Sequence, residues 1–164
     1  PDLAGRVWFV RADMCCIPSA GAFDLAINMF TSFGYFDQDR QNFEVLRALA
    51  ASLKTGGRFF IDYLNRPQVI ATLVPEDSFS RGGLKVRQNR SISADGLRVV
   101  KSVRVQGPQG IQQWVESVRM YSRVEMEEML ERAGFEVEQV YGGYLGLEHS
   151  ESSERLIFSG RKKP

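Results

Sequence analysis

The sequence is poor in the side chains that most often do chemistry or hold metals. It has one histidine, His149, and two cysteines, Cys15 and Cys16, which are adjacent. Adjacent thiols with no further Cys or nearby His complete neither a metal site nor a disulfide framework, and a reducing cytoplasm is the simple expectation. No apolar run approaches the ~20 residues needed to span a bilayer. No charged, apolar, small-residue leader opens the chain, so a soluble cytoplasmic protein with no membrane partner is expected. An excess of one charge is missing too: 21 basic against 20 acidic residues give a formal net charge of +1, which leaves no overall field to draw the chain to nucleic acid. Nor is there a basic groove with interleaved aromatics. A small-molecule partner fits this composition better. His149 sits in the polar stretch 148–154, where a solvated imidazole is expected rather than a general base. No catalytic residue and no metal ligand can be named.

What is present is an ordinary globular pattern. At 164 residues the chain is long enough for one domain with its own core and too short for two of typical size. RVWFVRAD (6–13) and FDLAINMF (23–30) have the β-branched and aromatic content of buried strands, separated by a loop containing Pro18, Ser19 and Gly21. DRQNFEVLRALAASLKTGG then places Phe43, Leu46, Leu49, Ala50 and Leu53 at helical spacing, with Gly56 and Gly57 ending the run. RFFIDYLN (58–65) is nearly continuous in apolar residues, as a strand covered on both faces should be. Strand, helix, strand implies a parallel crossover. Ligands in such sheets sit at the carboxyl ends of the strands, where residues 28–33 and 63–65 fall.

The middle of the chain changes period. PQVIATLVPED reads as a short helix, and LKVRQNRSIS, LRVVKSVRVQ and QQWVESVRMY alternate as antiparallel strands, with turns at 94–96 and 107–110. This predicts a β meander over 84–121 inserted in the domain, suited to act as a flap or to join two chains. From Ser122 the pattern is helical, with Ser122 as N-cap, Glu125 as its capping-box partner and Gly134 past the end. FEVEQVYGGYLG and RLIFSGRKK close the chain as an antiparallel hairpin.

The ordered set FDLAINMFTSFGYF, LKTGGRFFIDYLN, ERAGFEVEQVYG and LIFSGRKK resembles the C-terminal two-thirds of a class I S-adenosylmethionine-dependent methyltransferase. The resemblance implies an α/β, Rossmann-like methyltransferase sheet, truncated at the N-terminus, with residues 6–13 as its third strand and 23–30 as its fourth. It implies S-adenosylmethionine as cofactor and methyl transfer to a small-molecule O or N acceptor. Asp13 would then accept from the adenine amino group with the Met14 backbone reading the ring edge, although Asp13 can equally be a loop cap. Asn28, Met29 and Phe30 would lie beside the methionine part of the cofactor. Thr31, Ser32, Phe33, Tyr35 and Asn65 would face the acceptor, the alternative for Phe30, Phe33 and Phe36 being plain core packing. Asp62 is either a buried functional carboxylate or a hydrogen-bonded core residue; alternation points it away from the strand's end and favours the second.

One departure from the family is large. Its glycine-rich turn after the first strand and the acidic residue ending the second have no counterpart here, because Gly5 stands alone and Gly82, Gly83, Gly107 and Gly110 belong to meander turns. Strands one and two of the family lie between strands three and four, so residues 7–10 lack their natural neighbours. Activity is therefore expected to need that cofactor half. The alternative is a non-catalytic α/β domain that forms a homodimer through the meander.

Overall fold

In the computed structural model, residues 7–164 are described. The first strand is β1 (Phe23–Asn28), followed by helix α1 (Asp39–Ser52) and strand β2 (Leu53–Leu64), and β1 pairs with β2 in parallel. α1 is therefore the crossover the sequence implies, about four turns long. It buries Val45, Leu46 and Ala50 against the sheet. The helix ends earlier than the Gly56–Gly57 pair: Leu53 is already extended, and β2 starts there. Gly56 adopts a φ of 73°, and the register jumps from Phe23↔Leu53 to Leu25↔Arg58. The two glycines thus form an irregularity inside a strand rather than a helix stop, the use of glycine expected at a bulge.

After the short helix α2 (Arg66–Thr72) come β3 (Glu76–Arg81), β4 (Leu84–Ile92), β5 (Arg98–Gly107) and β6 (Gly110–Arg119), a four-stranded antiparallel meander. It begins earlier than the expected 84–121. The strand missed, EDSFSR, carries only Phe79 as a large apolar residue, so its polarity hides it from a periodicity reading.

Helix α3 (Arg123–Arg132) has the capping box the sequence announces: the Ser122 hydroxyl accepts from the Glu125 amide while the Glu125 carboxylate accepts from the Ser122 amide. Strands β7 (Phe135–Tyr141) and β8 (Arg155–Lys162) pair antiparallel, and β8 inserts beside β2, giving the sheet order β1-β2-β8-β7.

The core lies between this sheet and helices α1 and α3, with Phe59, Ile61, Tyr63, Leu130, Phe135 and Phe158 at most 1% exposed. Phe59 and Phe135 pack with ring centroids 4.6 Å apart. Each such side chain contributes about 1.5–3 kcal/mol by burial. Phe33 joins Tyr63 and Tyr121 at 5.9 and 5.7 Å, and this aromatic group ties the main sheet to the base of the meander. Gly34 is required there: its φ is 93°, and a Cβ would lie 3.0 Å from both the Arg119 carbonyl and the Tyr63 hydroxyl.

The strand expected over 6–13 is not formed in its described part. Residues 7–13 pair with none of the eight strands, and Trp8, Phe9 and Val10 are 79%, 96% and 69% exposed. Arg6 lies outside the described residues. An apolar β pattern becomes a strand only where a ladder partner exists. β1 likewise has β2 on one side and a free edge on the other, with Phe23, Leu25 and Ile27 half exposed. No helix among the described residues is long and apolar enough to cross a membrane.

Candidate functional site

The carboxyl ends of the parallel pair β1 and β2 meet where the chain leaves the sheet. β1 stops at Asn28 rather than continuing to Phe30, because Phe30 and Thr31 both take left-handed backbone conformations, with φ of 58° and 57°. Two consecutive non-glycine residues there cost about 1–3 kcal/mol each and persist only where neighbours impose them. The imposing group is Asp62. Its side chain is fully buried; Oδ2 accepts from the Phe30 amide at 2.8 Å and from the Tyr144 hydroxyl at 2.6 Å, and Oδ1 accepts from Arg155 Nε at 2.7 Å. Arg155 Nη2 continues to Thr31 Oγ1 at 2.8 Å, and the Thr31 amide donates to the Asp62 carbonyl at 3.1 Å. Asp62 is buried and hydrogen-bonded, as the alternation of β2 suggests, yet its bonds shape the segment that follows β1. Bonding to its carboxylate and burial push the Tyr144 hydroxyl above its ordinary pKa, so the phenol stays protonated as the donor.

Tyr144 and Arg155 are missed by sequence reasoning. The available signal is faint: Asp62 pairs with Ile157 across the β2–β8 ladder, so Arg155 is its diagonal neighbour on the same face. That register spans most of the chain and cannot be read before the strands are paired.

The structure brings most of the expected site residues together and separates two of them from the accessible surface. Phe30 is 78% exposed and Tyr35 is 46% exposed, with Thr31 and Ser32 between them in sequence. Ser32 Oγ donates to the Met29 carbonyl at 2.7 Å, closing the turn. Phe33, by contrast, is 1% exposed and belongs to the core, although it also borders a small cavity. Asn65 is buried, with Nδ2 directed at the carbonyls of Ser150, Glu151 and Ser153 at 2.7–3.1 Å, so its amide holds the 150–153 turn.

That cavity, about 190 Å³, is lined by Met14, Ile17, Ile27, Asn28, Phe33 and residues of α1. It is apolar except for Asn28, whose Oδ1 is buried and accepts no hydrogen bond. An orphaned buried acceptor costs ~1–3 kcal/mol, and a ligand donor placed there would recover it. Asp13 shows the capping role: Oδ1 accepts from the Cys15 amide at 2.8 Å. Its second oxygen has no listed partner and is open to a ligand. Burial, then the nearby Asp13 carboxylate, raises the Cys15 thiol, which leans on the Gln41 carbonyl of α1 at 3.5 Å. Two larger grooves, of about 480 Å³ beside β7 and about 510 Å³ on the meander, lie elsewhere and border none of these residues. His149 differs from expectation: it is half-buried, its Nε2 is enclosed without a partner, and burial followed by Arg123 lowers its pKa.

No family model and no curated protein matches the sequence. Solved structures do match the fold. A S-adenosylmethionine-dependent methyltransferase from Clostridium acetobutylicum superposes with a TM-score of 0.80 at 14% identity, over 94% of this chain and 64% of that one. The CcbJ methyltransferase from Streptomyces caelestis gives 0.76 at 13% identity, over 93% and 66%. CalS10, an amino pentose methyltransferase from Micromonospora echinaspora with S-adenosylmethionine bound, gives 0.63 at 20% identity, over 93% and 63%. The chain thus has the Rossmann-like fold of the class I S-adenosylmethionine-dependent methyltransferases and spans slightly under two thirds of the length of these structures.

Proposed function

We propose that this chain carries the adenine-facing and acceptor-facing parts of a S-adenosylmethionine-dependent methyltransferase acting on a small molecule through an O or N atom. The observation that supports this most is the unpartnered Asn28 Oδ1 in an apolar cavity beside Met14, at the carboxyl end of β1. A hydrogen-bond donor on a flat apolar body would satisfy both features, and the neighbours' cofactor has one. Asp13 offers its free carboxylate oxygen to an amino group, an acceptor-only role that suits an ionised carboxylate. Met29 and the exposed Phe30 ring lie next along the chain, where an aromatic face would attract a sulfonium by ~0.5–2 kcal/mol. The bound cofactor supplies an activated methyl group, so the protein's share is alignment and exclusion of water. Thr31, Ser32 and Tyr35 present hydroxyls on the acceptor side, Phe33 and Asn65 support that wall from behind, and Asp62 with Arg155 fixes the backbone. The ribose-side contacts of such a site belong to a glycine turn and an acidic residue that this sequence does not contain.

A second reading is a non-catalytic domain that dimerises through the meander, favoured by the exposure of Phe79, Ile111, Trp114 and Val115 on that sheet. Calorimetric titration with S-adenosylmethionine, run on this chain and on Asp13→Ala and Asn28→Ala, separates the two. The first reading expects saturable binding, weakened about ten-fold or more by either substitution, equivalent to about 1.4 kcal/mol. Absence of binding by a chain that sediments as a stable dimer supports the second.

A further inference from the structure

The turn 142–147 carries three glycines, Gly142, Gly143 and Gly146, around Tyr144, Leu145 and Leu147. Its tip has no apolar anchorage: Leu145 is 91% and Leu147 is 70% exposed. Its base is held by the Tyr141↔Glu148 bridge and by the Arg155 amide donating to the Gly142 carbonyl at 3.0 Å. At the tip, among the described residues, the hydrogen bond reaching the body of the protein is that of Tyr144. Its ring is 58% exposed while its hydroxyl reaches the fully buried Asp62. A surface tyrosine gains nothing from that position unless the turn is meant to lie down. The oxygen it meets is the one that accepts the Phe30 amide.

We infer that Tyr144 is the tip of a flap latched on Asp62, and that its closure seals the bonds holding Phe30 and Thr31 in their left-handed conformation. In the closed form the phenol caps the carboxylate and keeps water from the Phe30 and Thr31 amides. In the open form those amides are wetted, and two strained residues lose their support. Tyr144 is a positioning residue in this scheme, acting through Asp62 on the acceptor-facing segment. Gly143 has open space where a Cβ would stand and Gly146 has a φ of 76°, so the turn has the freedom to swing. The functional meaning rests on the assignment of residues 30–32 to the acceptor side; the coupling itself does not.

Amide hydrogen exchange, read by NMR on the full chain without ligand, tests it. Tyr144→Phe keeps the ring and removes the latch. It is expected to accelerate exchange at Phe30, Thr31 and the turn tip by about ten-fold or more, the loss of one hydrogen bond to a charged group, while amides of β2 and β8 are unchanged. Leu145→Ser, on the same tip but without the bond, should leave Phe30 and Thr31 as they are. Uniform acceleration throughout the sheet in Tyr144→Phe, or unchanged Phe30 and Thr31 amides, overturns the inference. A parallel titration with S-adenosylmethionine keeps the two questions apart, since the exchange result stands or falls without it.

Discussion

Asn28→Leu should make the protein more stable and, at the same stroke, unable to bind a ligand at this site. The Asn28 Oδ1 is buried without a donor, next to a cavity of about 190 Å³ lined by apolar side chains. Replacing the amide by an alkyl group removes an unmet acceptor, worth ~1–3 kcal/mol. The additional methyl volume enters existing space, so the overpacking penalty that usually accompanies such a change is small. For a chain of 164 residues each kcal/mol shifts Tm by about 2–4 °C, giving a rise of about 2–10 °C. Thermal unfolding followed by circular dichroism measures it, with Asn28→Ala as the partner variant that removes the acceptor but leaves the space empty. If both variants melt below the parent, Oδ1 is satisfied in solution and the argument for a ligand-recognising atom fails. A raised Tm combined with unimpaired ligand binding would also refute it, because the strain would then serve no recognition.

Other outcomes follow from the geometry. Arg155→Ala leaves the buried Asp62 carboxylate without its cation and is expected to destabilise by about 3–5 kcal/mol in denaturant titration. Phe59→Ala opens a hole opposite Phe135 at about 3–5 kcal/mol, measured the same way. Ser122→Ala removes the α3 cap and should cost about 0.5–2 kcal/mol. Glu125 is subject to burial that would raise its pKa, but the Ser122 amide and hydroxyl and the Arg119 guanidinium outweigh it and hold the pKa below the ordinary value. Its contribution is therefore complete above the unfolded-state value of about 4.3 and disappears as pH falls through the lower folded-state value. The stability gap between the parent and Glu125→Gln, measured from pH 7 downward, should narrow only in that acid window.

How much of this was legible depended on how local the cause is. Ser122, Glu125 and Gly134 announce α3 because a cap is written within a dozen residues. The parallel crossover and the closing hairpin follow from periodicity alone. β3 escaped because its six residues hold a single large apolar side chain, and its pairing with β4 rests on backbone bonds. Residues 7–10 failed in the opposite sense: their pattern asks for a strand, but a strand needs a partner, and none of the described strands takes that place. In the site, the neighbourhood of Asn28 to Tyr35 was visible from the strand ending. The separation of Phe33 and Asn65 from the accessible face was not, since it depends on Tyr121 and on the 150–153 turn. Asp62 appeared as one polar residue in an apolar strand. Its partners Tyr144 and Arg155 come from β8 and the turn before it, and only the paired ladder shows them.

The free edge of β1 sets how the protein behaves in a tube. FDLAIN offers a row of unpaired backbone groups, with Leu25 and Ile27 half exposed and neither lysine nor proline to discourage a newcomer. Natural sheets blunt such an edge with charge, proline or a covering element. Here any extended peptide can add to it, and another molecule's β1 is always at hand. Solubility should therefore fall with concentration rather than with temperature alone, and Leu25→Lys should raise the concentration at which the solution stays clear without touching the core on the far side of the sheet.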